Sequence, residues 1–126
     1  SFLNELCCKI DIEAECIHER AELLARKEEY REKYDIATAR AVSAMPVLSE
    51  YCMPFVKPGG IFGAMKGPSE NISDASNAIK LLGGKISDDI NYQVNNDKRR
   101  VIIVKKIMPC STKYPRSSNK INAKPL

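Results

Sequence analysis

Three basic residues stand where predicted strands end, and they are the residues of this sequence best suited to chemistry. Arg20, Arg40 and Lys66 each follow or close a short segment with the apolar pattern of a β-strand. In an open α/β sheet, ligands bind beyond the C-terminal ends of the strands, so the three cations are expected on one rim. They would attract a carboxylate, a phosphate or a nucleic-acid backbone, and Glu22 would receive a hydroxyl or amine donor. The simpler alternative is that these charges only cap exposed strand ends.

Other kinds of active site are not favoured. The five cysteines are an odd number without framework spacing, which is typical of free thiols in a reducing cytosol. Cys16 and His18 would share one face of a strand, but a single pair lacks the three or four ligands that zinc takes, so no metal site is expected. His18 is the only histidine, and neither Ser nor Cys lies in a nucleophile-elbow context. The glycines at 59–63 precede and enter a strand, so they form no phosphate loop between a strand and a helix.

The charge is divided unevenly along the 126 residues, whose formal net charge is +4. Residues 98–126 contain nine basic residues and no acidic one, whereas the 11 basic and 16 acidic residues before them give −5. An acidic body with a basic end indicates an anionic partner, and RNA, DNA and a membrane surface all remain open. A tail that only improves solubility is the alternative. No apolar run approaches the ~18 residues that a membrane span needs.

The elements that must position these residues alternate along the chain. Apolar periodicity predicts helices at 2–9, 20–33 (a short helix or helical loop), 45–56 and 69–82, and strands at 14–18, 35–40, 61–66, 85–94 and 99–107. This order favours a three-layer α/β sheet with helices on both faces, closed by an antiparallel hairpin. Small residues predict a buried, central position for the strand at 35–40. We expect a domain over 1–108 and a basic, Pro-containing tail over 109–126.

Several motifs together resemble one family. These are Arg20-Ala21-Glu22, Ala39-Arg40-Ala41, Met65-Lys66-Gly67-Pro68 and Tyr114-Pro115-Arg116. At these separations they closely resemble RsmG (GidB), the bacterial methyltransferases that use S-adenosylmethionine to methylate N7 of a guanine in 16S ribosomal RNA. The resemblance covers the C-terminal portion of that family only. It therefore implies an incomplete Rossmann-like fold that lacks the first two strands and the glycine-rich loop.

The resemblance also implies roles for single residues. Ala21 and Glu22 would lie against the adenine of the cofactor, and Arg40 would lie near the cofactor. The residues that would face the RNA are Arg20, Lys66, Arg99 and Arg100. The implied partner is 16S ribosomal RNA or the small ribosomal subunit, in the cytoplasm. Asn119 and Ile121 stand where the family commonly has Gly and Pro, which is a departure from its pattern.

Methyl transfer to guanine N7 agrees with the residues that are present. The nitrogen already has a free lone pair, so positioning and electrostatics would carry the rate with little acid–base chemistry. Because two family strands are missing, methylation by this chain alone is not expected. An RNA-binding module without catalysis, acting through the basic region from Lys98, is the alternative. The strands at 14–18 and 35–39 would have exposed edges, which predicts that they pair with each other or with a second copy.

Overall fold

A four-stranded mixed sheet organises the chain, whose computed structural model describes residues 2–40 and 43–126. Its order is β1-β2-β4-β3, with β1 parallel to β2 and the other two pairs antiparallel. The strands are β1 (Tyr34–Arg40), β2 (Val56–Lys66), β3 (Gly84–Val94) and β4 (Asp97–Lys106). The predicted mixed sheet with a closing hairpin is therefore confirmed.

The helices are short, and two of them are packed on the sheet. They are α1 (Phe2–Lys9), α2 (Ala21–Leu24), α3 (Met45–Cys52), α4 (Ser76–Leu81) and α5 (Ser118–Ala123), with 3₁₀ turns at Met53–Phe55 and Ile72–Ala75. The predicted helix at 69–82 begins later than expected. The Asn71 side chain accepts the Ser73 N–H at 3.1 Å, and this local bond favours a 3₁₀ turn before α4. Gly83, with φ +84°, follows α4 in the left-handed conformation that commonly ends a helix.

The core lies between one face of the sheet and the helices α3 and α4. Phe62 faces Val104 across the β2–β4 ladder and Ala64 faces Ile102, and all four side chains are fully buried. Residues of α3 and α4, among them Met45, Leu48 and Ile79, belong to the same buried cluster. Burial of apolar side chains at about 1.5–3 kcal/mol each makes this face the main source of stability.

The other face of the sheet is more open. It presents Ile36, Met65 and Ile90, which are 59%, 40% and 51% exposed, together with the half-buried Val101 and Ile103. The alternation of apolar residues across both faces explains why the sequence predicts helices on both. In the described residues α3 and α4 cover one face, and the three-layer arrangement stays a prediction.

Two expectations about strands are wrong. Residues 14–18 form no strand, and β1 is not central but lies at the edge of the sheet with its residues half-buried or exposed. Both corrections have the same cause, because β1 is paired only with β2 and no described segment pairs with its outer side. A strand needs a ladder partner for its backbone groups, so alternation alone does not make one. Among the described residues β1 has no pairing with 14–18, and pairing of its outer edge with a second copy stays a prediction.

The segment after β4 packs against the rest of the fold. Cys110, Tyr114 and Ile121 are buried, and the last predicted polar stretch contains the helix α5. Arg26 and Arg31 hold this segment by donating hydrogen bonds to its backbone carbonyls, including that of Tyr114 at 2.8 Å from Arg31. The division of the chain at residue 108 stays a prediction. None of the helices in 2–40 or 43–126 is long and apolar enough to span a membrane.

Candidate cofactor and nucleic-acid interface

A basic cleft of about 580 Å³ opens where β1 and β2 end. Its lining residues are Arg40, Met65, Lys66, Gly67, Tyr92, Val94 and Arg99. Arg40 is beside Met65 in the parallel β1–β2 register, and the antiparallel strand β4 begins beside the end of β2. The hairpin tip therefore lies next to the C-terminal ends of the parallel strands. This is the edge at which open α/β sheets bind ligands.

Arg99 is an exposed and weakly paired cation of the hairpin. Its guanidinium lies 3.8 Å from the carboxylate of Asp97, with side-chain exposures of 52% and 72%. Exposed pairs of this kind contribute little to stability because water screens them. Arg99 can therefore exchange Asp97 for a phosphate at small cost, as its predicted RNA-facing role requires.

Lys66 is part of the same cleft, but its ammonium group is already paired. Its side chain is only 3% exposed, donates to the backbone carbonyl of Ser43 and lies 3.7 Å from the carboxylate of Glu70. Glu70 in turn accepts the N–H of Met45 at 2.8 Å, so this network fixes the start of α3. The geometry favours a structural role for Lys66, and its contact with RNA stays a prediction.

Arg100 is paired in a different way, on the opposite face of β4 from Arg99. Its guanidinium binds both carboxylate oxygens of Asp89, at 2.7 and 2.8 Å, and also donates to the Glu70 carbonyl. These hydrogen bonds lower the pKa of Asp89 and raise that of Arg100. With its side chain 12% exposed, Arg100 binds RNA only if it leaves Asp89, so its RNA-facing role stays a prediction.

A second, apolar cavity of about 310 Å³ lies at the free edge of β1. It is lined by Ala21, Tyr34, Ile36, Ala37, Thr38, Tyr51, Cys52 and Phe55. The rings of Tyr34 and Phe55 meet edge to face with centroids 6.3 Å apart, which gives the cavity a rigid aromatic corner. Burial raises the pKa of Cys52 to about 12, so its thiol stays neutral at physiological pH.

Arg20 and Glu22 form an ion pair beside this cavity. The Nε of Arg20 donates to the Glu22 carboxylate at 2.7 Å, which raises the pKa of Arg20, and Glu22 is buried. Arg20 lines a separate cavity of about 260 Å³ with residues of the C-terminal segment, Ser117, Ser118 and Asn119. The expected single rim of Arg20, Arg40 and Lys66 is therefore divided. Arg40 and Lys66 share one cleft, and Arg20 lines another because no strand precedes it.

The sequence interpretation missed Tyr92 and Val94 as residues of the basic cleft. Asn95 and Asn96 both have positive φ (49° and 70°), which is the conformation of a two-residue hairpin turn. This turn places Val94 opposite Asp97 and Tyr92 opposite Arg99. The Asn95-Asn96 pair is the signal from which this register, and hence Tyr92 beside Arg99, follows.

Comparisons with known proteins identify the family of this chain. The family model described as rRNA small subunit methyltransferase G (GidB) matches residues 1–102, so the chain belongs to that family. It is 48% identical over 129 residues to the ribosomal RNA small subunit methyltransferase G of Acetivibrio thermocellus, and 45% identical over 128 residues to the protein of that name from Clostridium kluyveri. The counterpart from Alkaliphilus oremlandii is 41% identical over 131 residues.

These alignments cover different shares of the two partners. They include 99–100% of this chain but 53–55% of each relative. The chain thus spans about half the length of the curated relatives that it matches.

Proposed function

We propose that this chain supplies part of the cofactor site and part of the RNA site of a ribosomal RNA methyltransferase. The observation that carries the proposal is the alignment of Ile36, Thr38 and Arg40 on one face of the edge strand β1. Ile36 and Thr38 line the apolar cavity, and Arg40 lines the basic cleft. The four residue steps from Ile36 to Arg40 span about 13 Å of strand, so one ligand lying along β1 reaches both sites.

The residues around β1 fit an adenine-bearing cofactor such as S-adenosylmethionine. The cavity beside Ala21 offers apolar and aromatic walls for a flat base. Glu22 is buried, accepts a hydrogen bond from Arg20 and lines the neighbouring cavity of about 260 Å³, so its contact with the adenine stays a proposal. When bound, the cofactor supplies a methyl group on a positively charged sulfur.

The side chains of the cleft then act by positioning. N7 of guanine accepts a methyl group through its own lone pair, so the chain needs no residue to remove a proton first. Arg40 and Arg99 would hold anionic groups of the cofactor and the RNA at the mouth of the cleft. We assign methylation of guanine N7 in 16S ribosomal RNA to the whole protein, and we expect no turnover from this chain alone.

A second candidate function is RNA binding without catalysis. The observation that favours it is the charge of residues 98–126, where nine basic residues occur without an acidic one, although Lys106 is buried and Arg100 and Arg116 are paired with carboxylates. A cationic surface binds RNA largely through release of counterions, which requires no cofactor.

One experiment separates the two candidates. Binding of a 16S ribosomal RNA fragment is measured as salt is raised, with and without S-adenosylhomocysteine, while methyl incorporation from labelled S-adenosylmethionine is followed in parallel. The methyltransferase proposal predicts that S-adenosylhomocysteine binds and that Arg40→Ala weakens it. Salt-sensitive RNA binding with no cofactor binding would favour the RNA-binding module. Absence of both S-adenosylhomocysteine binding and RNA binding would contradict both candidates.

A further inference from the structure

Tyr92 occupies an unusual position on the hairpin. It lines the basic cleft with Arg40 and Arg99, and it also lines an adjoining cavity of about 400 Å³ with Pro68, Asn91, Gln93, Lys98 and Arg99. Tyr92 and Arg99 are therefore the two residues that both cavities share. They are also direct cross-strand partners, so their side chains project from the same face of the hairpin.

The ring of Tyr92 is only partly packed against the fold. The side chain is 40% exposed although it belongs to a strand. Within residues 2–40 and 43–126, its ring has no aromatic partner and no cation above it, since the ring contacts present involve Tyr34, Phe55 and Tyr114. A large aromatic side chain that is left unstacked between two cavities is expected to bind something flat.

We propose that Tyr92 and Arg99 form a nucleotide subsite for single-stranded RNA, with a base stacked on the Tyr92 ring and the adjacent phosphate on the Arg99 guanidinium. This proposal rests on the proposed function and names the RNA conformation that it takes. Stacking on an aromatic ring requires a base whose face is free, which single strands offer and duplex interiors do not. Asn91 and Gln93 line the adjoining cavity and supply amide donors and acceptors for the edge of a neighbouring base.

The charge around the subsite suits a phosphate. Lys98 and Arg99 are the second and third residues of β4, and Arg40 lines the same cleft as Arg99. The acidic group in direct contact is Asp97, whose pair with Arg99 is exposed and weak. A phosphate can therefore replace the Asp97 carboxylate on Arg99 and leave no unpaired charge buried, because the Asp97 side chain is exposed to water.

The test compares variants of the chain in binding a fluorescein-labelled, mixed-sequence RNA of about 12 nucleotides, with a duplex of the same length alongside. Tyr92→Ala is expected to weaken single-strand binding about 5- to 150-fold, and Tyr92→Phe is expected to retain it, because stacking needs the ring and not the hydroxyl. The matched control is Ile90→Ala, which lies two residues away on the same strand and face and is 51% exposed, yet lines neither cavity.

The salt dependence supplies a readout that a structural role would not move. Tyr92→Ala removes no charge, so the slope of log affinity against log salt stays as in the unaltered chain, whereas Arg99→Ala lowers that slope by about 1. Equal binding by Tyr92→Ala and the unaltered chain would overturn the subsite and leave the proposed function standing. Failure of the unaltered chain to bind RNA would overturn both, and equal or tighter binding of the duplex would overturn the single-strand assignment.

Discussion

The carboxylate of Glu50 and the guanidinium of Arg116 form an ion pair that ties α3 to the segment after β4. Glu50 is fully buried and accepts from Nε of Arg116 at 3.0 and 3.1 Å, from its Nη2 at 2.7 Å and from its backbone N–H at 2.7 Å. The two residues are 66 positions apart in the sequence. Arg116 satisfies the hydrogen-bonding capacity of a carboxylate that has no access to water. The C-terminal segment therefore contributes to the stability of the fold.

Arg116→Ala is expected to destabilise the chain by about 3–5 kcal/mol, because it leaves the Glu50 carboxylate buried without its cationic partner and with only the hydrogen bond from the backbone N–H of residue 116. The free energy of unfolding is measured by urea denaturation. The control is Lys57→Ala, which removes an ion pair with Asp35 whose side chains are 50% and 76% exposed. That exposed pair should contribute less than about 1 kcal/mol. Equal effects of the two variants would contradict a special role for the buried pair.

The Asp89–Arg100 pair predicts a pH dependence. Hydrogen bonds from Arg100 lower the pKa of Asp89 from its ordinary value of 3.8, so the folded state favours the ionised carboxylate. The resulting stabilisation is fully present above pH 3.8 and is lost as pH falls through the lower folded-state pKa. The difference in unfolding free energy between the unaltered chain and Asp89→Asn should therefore be constant near neutrality and shrink at acid pH. A difference that grows on acidification would contradict the assignment.

Cys52 is expected to resist alkylation. With its pKa raised to about 12 from 9.0, its thiolate fraction near pH 8 is about 1000-fold lower than that of an ordinary thiol. Mass spectrometry after brief iodoacetamide treatment should find the exposed Cys8 labelled and Cys52 intact. In urea both should react alike. Equal labelling of the two residues in the folded chain would show that the apolar cavity does not shield the thiol.

The free edge of β1 predicts self-association through strand pairing. Its outer backbone donors and acceptors have no ladder partner among the described residues, and exposed edges of this kind pair with other chains. Analytical ultracentrifugation should detect a concentration-dependent dimer that Thr38→Lys, a charge on the middle of this edge, weakens. A monomer at all concentrations, with slow amide exchange throughout β1, would contradict this prediction.

The sequence identifies those elements whose patterns are local. The hairpin was predictable from the alternation in two adjacent segments around an Asn-rich turn, and α3 from its apolar spacing. The alternation at 14–18 predicts a strand that the structure lacks, because alternation carries no information about whether a pairing partner is present. Site residues follow the same rule. Arg99 and Arg100 are neighbours in sequence, yet only the register of β4 shows that one faces the cleft and the other Asp89.

The environment of Lys66 is likewise non-local in origin. A lysine at the end of a strand is expected to be an exposed cation, but the ammonium group of Lys66 is paired with the Ser43 carbonyl and Glu70. Tyr92 was missed for a related reason, since its importance comes from its cross-strand pairing with Arg99. Tertiary contacts, and not residue type, decide which of these side chains is available to a ligand.

Calorimetric titration of the chain with S-adenosylhomocysteine tests the central claim that β1 holds part of a cofactor site. The comparison includes Arg40→Ala, which alters the β1 side of the basic cleft, and Arg99→Ala, which alters its hairpin side. We predict saturable binding of S-adenosylhomocysteine. Arg40→Ala should weaken this binding at least about 10-fold, because a charge-assisted contact is lost, whereas Arg99→Ala should leave it nearly unchanged. No binding, or binding that is indifferent to Arg40, would contradict the assignment of this edge to the cofactor.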